Sequence, residues 1–159
     1  MPQSFKQLAS EPGAPLRPQP ANAQDVAAWL QAAQLKLEDA QQAVVSPGTR
    51  MDAAWDAVLL ACLAVACAQG WRTTSDKGHH AAVLEGAAQA VGLGQHRFDA
   101  LDALRDWRIR KYRAGQFSTV AEVNEAIALV KPFQADVAAW FASRHSTLMM
   151  QGISRAPEP

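Results

Sequence analysis

Residues 57–68 are an uninterrupted apolar run in a chain of 159 residues. A helix that is apolar on every side must be enclosed by other elements. At 12 residues the run falls short of the roughly 18 needed to cross a bilayer, so it reads as a buried core helix with no membrane role. Alanine extends the argument: 33 alanines make up about a fifth of the sequence, against nine glycines and one tyrosine. Alanine is the best helix former and is depleted in strands, so the expected class is all-α with closely packed helices. The length suits one domain.

The two cysteines, Cys62 and Cys67, fall within this run, about 140° apart around a helix. They do not bridge each other. Two small buried thiols fit a reducing cytoplasm, and the N-terminus carries no basic start followed by an apolar core of the secretory kind. With 15 basic and 15 acidic side chains the composition excludes both a wholly basic nucleic-acid binder and an acidic disordered chain. Any interaction site is therefore local.

Five of the nine prolines lie within residues 1–21, predicting a flexible, extended arm. A helical body is expected over residues 22–145 and a short tail over 146–159. Asn22 caps a first helix reaching about Val45, with Val26, Trp29, Leu30, Ala33 and Leu37 on its apolar face. Ser46-Pro47 opens the second helix, which ends before Gly70. A polar loop, residues 71–78, precedes a helix over 79–91 closed by Gly92. A fourth helix spans about 96–113. Thr119 and Glu122 form a capping box for a fifth helix reaching about Ser143, with Pro132 as a kink point. The expectation is an up-and-down bundle of about five helices, with Trp29, Trp55 and Trp140 in its core.

Chemistry concentrates at residues 105–113, which hold five cations and one acid. Phe98, Leu101, Arg105, Arg108 and Tyr112 recur at three and four, so two arginines and the only tyrosine share one side of a helix. Arg110 and Lys111 point elsewhere. A half-buried guanidinium must either pair internally, with Asp102 and Asp106 within reach on the same helix, or border a cleft. An arginine cleft beside a phenol suits phosphate and a stacked base. Arg110, Lys111, Arg113 and Trp107 would extend such a nucleic-acid surface, Trp107 serving either as a stacking ring or as packing. His79 and His80 project about 100° apart, unlike an i, i+4 metal pair; they either begin the third helix structurally or join the arginine cleft. No metal site or cofactor is expected.

Gly70-Trp71-Arg72, Gly78-His79-His80 and Leu101-Asp-Ala-Leu-Arg105-x-x-Arg108-x-x-x-Tyr112 together resemble bacterial HEPN proteins over residues 23–143. The likeness is greatest to the subgroup with an arginine-rich R-x-x-R-N-x-x-x-Y fourth helix. The resemblance implies a small helical bundle, commonly dimeric, found as a toxin or as a partner of nucleotidyltransferases in toxin-antitoxin and antiviral systems. It also implies metal-independent ribonuclease chemistry, with Arg105, Arg108 and Tyr112 in the catalytic positions. The family's arginine is followed four to six residues later by a histidine; here no histidine occurs between His96 and His145, and Ile109 replaces the subgroup's asparagine. A phenol with a pKa near 10 is a poor base at pH 7.

Two functions follow. One is an RNA- or nucleotide-binding HEPN-like component of a defence locus, a degenerate ribonuclease with His79, His80 and Asp102 at its cleft. The other is a non-catalytic interaction module, dimeric or held by a nucleotidyltransferase, whose arginines make internal salt bridges. A conventional hydrolase is the weakest option, because no nucleophile elbow, phosphate loop or ligand cluster is present.

Overall fold

The computed structural model describes residues 1–115 and 117–154, with side chains outside 111–114 and 152–154. Seven helices and two strands occur among them, in the order α1 (Phe5–Ala9), β1 (Leu16–Pro18), α2 (Ala23–Ala40), α3 (Pro47–Ala68), β2 (Trp71–Thr73), α4 (His79–Val91), α5 (Gln95–Ala114), α6 (Val120–Arg144) and α7 (Ser146–Ser154). The architecture is a helical bundle carrying one small antiparallel sheet.

Helix α3 is its axis. By length and composition alone it could span a membrane, yet 72% of its apolar window is buried inside the protein, where α2, α4 and α6 pack around it. Alanines 54, 57, 61 and 64 are buried on it, and their small side chains let neighbouring helices approach closely. Cys62 and Cys67 are free and buried there. Gln134 on α6 ties three helices together by donating its side-chain amide to the backbone oxygens of Ala33, at 2.9 Å, and Ala57, at 3.4 Å.

Local signals set most of the boundaries. The Asn22 side chain accepts from the backbone N–H groups of Gln24 and Asp25, Gly92 closes α4 at φ 75°, and the Thr119 hydroxyl accepts from Glu122 N–H. Ser46 departs from expectation: its hydroxyl donates to Thr49 Oγ1 at 3.0 Å and makes no cap bond, so Pro47 alone marks the start of α3. Helix α2 stops at Ala40, short of Val45, and α6 passes through Pro132 as one element.

Four expectations are corrected. The proline-rich segment contains α1 and β1; Phe5, Leu8, Ala14 and Leu16 are buried. Strand β1 pairs with β2 in the register Leu16↔Thr73, Arg17↔Arg72 and Pro18↔Trp71, so residues 71–73 are a strand and not loop. The prolines fit because a three-residue edge ladder asks little of their missing N–H groups. The tail forms α7, with Leu148 and Met149 against the core. Among the tryptophans, Trp55 and Trp140 are core, but Trp29 is 37% exposed because Val26, Ala33 and Leu37 take the inward positions of α2.

Arg50 is buried, and its Nε donates to the carbonyl of Ala40, the last residue of α2, at 2.7 Å. A guanidinium there satisfies an end carbonyl and complements the negative end of the helix. Arg50→Met is expected to cost about 1–3 kcal/mol, measured by urea unfolding, because a buried acceptor is left without its donor.

Candidate functional site

Helix α5 buries Leu101, Leu104 and Trp107, placing Arg105 and Arg108 at the edge of that stripe and Ile109 and Arg110 outside it. Trp107 is 8% exposed, so it is packing and not a stacking surface. The side chains of Lys111, Tyr112 and Arg113 lie outside the described residues.

Both half-buried arginines are paired. Arg105 Nε donates to Asp102 Oδ1 at 2.7 Å and a terminal nitrogen reaches Asp106 Oδ1 at 2.9 Å. The bond to Asp102 is the main influence holding the Arg105 guanidinium in its charged form. Arg108 crosses to α3, where Nη1 donates to Asp56 Oδ1 at 3.0 Å. Three aspartates therefore answer two arginines, and the cluster is not an open cationic cleft. Each guanidinium carries five N–H donors and is only partly covered, so among the described residues these pairs do not take up every donor.

His80 completes the cluster from α4. Its pKa is pushed down from 6.5 to about 4, chiefly by burial and then by the positive fields of His79, Arg108 and Arg105. Its ring lies 6.0 Å from that of Trp55 and 4.2 Å, edge to face, from that of His79. His79 is turned toward the preceding loop, its Nδ1 lying 2.8 Å from the Asp76 carbonyl oxygen. Trp55 is fully buried, and its indole N–H has no hydrogen-bond partner among the described residues.

Of the residues singled out from sequence, Arg105 and Asp102 are paired with Arg108 one turn along, and His80 lies within the positive field of both arginines; Arg110 is exposed and Trp107 is packed inward. Asp56 and Trp55 were missed. Asp56 was detectable in principle: Asp52 and Asp56 are the two acids of a largely apolar helix, four apart on one face. Among the described residues no group of three His, Cys, Asp or Glu side chains could hold a metal ion.

The depressed His80 pKa carries a sign. Between pH about 6.5 and about 4 the unfolded imidazole binds a proton that the folded one refuses, so stability falls as pH drops through that window. His80→Gln is expected to flatten the dependence of the melting temperature on pH in that interval, read by thermal unfolding at half-unit steps.

Against known protein families, curated proteins and solved structures, the chain has no match.

Proposed function

We propose that this chain binds RNA or nucleotide phosphate as a HEPN-like component of a bacterial toxin-antitoxin or defence system, at the cluster of His80, Arg105 and Arg108. The observation that carries the reading is the placement of Arg105 and Arg108 along one partly exposed edge of α5, oriented by Asp102, Asp106 and Asp56; the positive fields of both reach His80 on another helix. The reading joins the Gly78-His79-His80 and Arg105-x-x-Arg108 segments, far apart in sequence, in one site. An imidazole whose pKa is pushed down to about 4 is a weak base at pH 7, so the site's chemistry is chiefly binding: the spare guanidinium donors suit phosphate oxygens, with neutral His80 beside them as a hydrogen-bonding group. This gives the site an imidazole that α5 does not supply after its arginines. Such activity needs no cofactor. A second copy or a nucleotidyltransferase is the expected protein partner, and free buried thiols suit the cytoplasm.

The test is salt-dependent binding and cleavage of single-stranded RNA by the full chain. Arg108→Ala is expected to weaken binding about tenfold or more and to lower the slope of log K against log salt by roughly 0.7. Circular dichroism checks the fold. RNA affinity and cleavage unchanged in both Arg105→Ala and Arg108→Ala would sink the reading.

The three ion pairs favour a second reading, in which Arg108 ties α5 to α3 through Asp56 and Arg105 pairs within α5, all inside a non-catalytic interaction module. In that case Arg108→Ala lowers the melting temperature and weakens self-association or partner capture, with no RNA bound by the parent chain.

A further inference from the structure

Every residue of α3 between Arg50 and Ala68 is buried except Asp52, Asp56, Leu59, Leu60 and Leu63. At 100° per residue these five fall within about 60° of Asp56, so α3 shows solvent a single stripe. Asp56, one turn in from the Asp52 end of that stripe, is the partner of Arg108. The stripe's other end, Leu63, forms part of a cavity of about 520 Å³ bounded by α2, α3 and β2. Seven residues of helix separate Asp56 from Leu63, a rise of about 10 Å. The arginine cluster and the cavity therefore open along one track.

The cavity is built from groups that suit a planar ring. Trp29 from α2 and Trp71 from β2 both line it, while Ala28 and Ala32 leave room beside them. Trp29 is the most exposed tryptophan described, although its helix has an inward face available; its indole is spent on this cavity instead. Arg72 and Asp25 also line it, and neither makes an ion pair among the described residues. The volume lies within the range of ligand sites, roughly 300–1,000 Å³. Two indoles with a free guanidinium and a free carboxylate fit a nucleobase: the rings stack on it, Asp25 accepts from an exocyclic amine, and Arg72 meets a flanking phosphate.

We infer that the Trp29–Trp71 cavity is a base-stacking subsite for the single-stranded RNA whose phosphate lies at Arg105 and Arg108, a few nucleotides along the same strand. The strand part of this inference rests on the function proposed above. An amino-bearing base is preferred over uracil.

The experiment is titration of the full chain with penta-adenylate, penta-uridylate and AMP, read by calorimetry, for the parent chain and for Trp29→Ala, Trp29→Phe and Arg108→Ala. Trp29 is surface-exposed, so its substitution is expected to spare the fold, checked by the thermal transition. Penta-adenylate should bind more tightly than penta-uridylate or AMP. Trp29→Ala should weaken penta-adenylate roughly tenfold or more, and Trp29→Phe should recover most of the loss. Penta-adenylate binding equally well to Trp29→Ala would overturn the subsite while leaving the phosphate reading standing. A loss in Trp29→Ala with none in Arg108→Ala would uphold the base subsite and reject the phosphate reading. AMP binding as tightly as penta-adenylate would overturn the shared strand and assign the cavity to a free nucleotide.

Discussion

A chain lacking residues 1–19 is expected to lose its cooperative thermal transition. That segment buries Phe5, Leu8 and Leu16, which are 2%, 8% and 2% exposed. Burial of each such side chain is worth about 1.5–3 kcal/mol. Their joint loss is comparable to the total stability of a domain of this size, about 5–15 kcal/mol. The deletion also strips the ladder partner from β2 and the ring that covers α4. Circular dichroism melts of the full and shortened chains provide the check. A shortened chain that melts cooperatively within a few degrees of the parent would show that this segment is dispensable.

The second large effect concerns Phe5 and Gly86. A Cβ placed on Gly86 would lie 2.3 Å from two atoms of the Phe5 ring, closer than any real contact, so this position in α4 is glycine because α1 lies against it. Phe5→Ala is expected to cost about 3–5 kcal/mol through lost burial and the void it leaves. Gly86→Ala gains up to about 1 kcal/mol of helix propensity and loses about 1–3 kcal/mol, or more, to overpacking. Combining them should cost clearly less than the two together, because the new methyl then occupies space the ring has vacated. Urea unfolding of the four proteins measures the coupling; strict additivity would mean that the ring moves aside freely.

These two residues also mark the limit of what was legible in the sequence. Caps act over three or four residues, so Asn22, Thr119 and Gly92 announced their helices, and α4 runs over residues 79–91 as expected. Strands β1 and β2 were hidden because three-residue strands have no usable period and their pairing joins residues 16–18 to 71–73. Proline content suggested an extended arm, while Phe5 and Leu8, one helical turn apart, carried the weaker signal of a packed one.

The site divides in the same way. Arg105, Arg108 and Asp102 lie within seven residues, and helical spacing alone placed them together. Asp56 reaches Arg108 across 52 positions, and His80 arrives from a third helix; tertiary packing alone sets both relationships. Trp29 was misassigned because it sits at the margin of its apolar stripe, where spacing does not separate a core ring from a cavity wall.

The β1–β2 ladder gives the chain a particular order of assembly. Helices α2 and α3 are neighbours in sequence and close on each other after a short turn, whereas the first strand waits for a partner more than fifty residues downstream. During synthesis the N-terminal segment therefore emerges with nothing to dock on, its Phe5 and Leu16 exposed, until β2 and α4 have been made. Closing so long a loop costs entropy that local helix pairing avoids. The amides of β1 should thus be the last to gain protection from hydrogen exchange in refolding and among the first to lose it. The same opening would release Thr74, whose N–H donates to Pro15 O at 2.9 Å, at the root of the loop leading into His79 and His80.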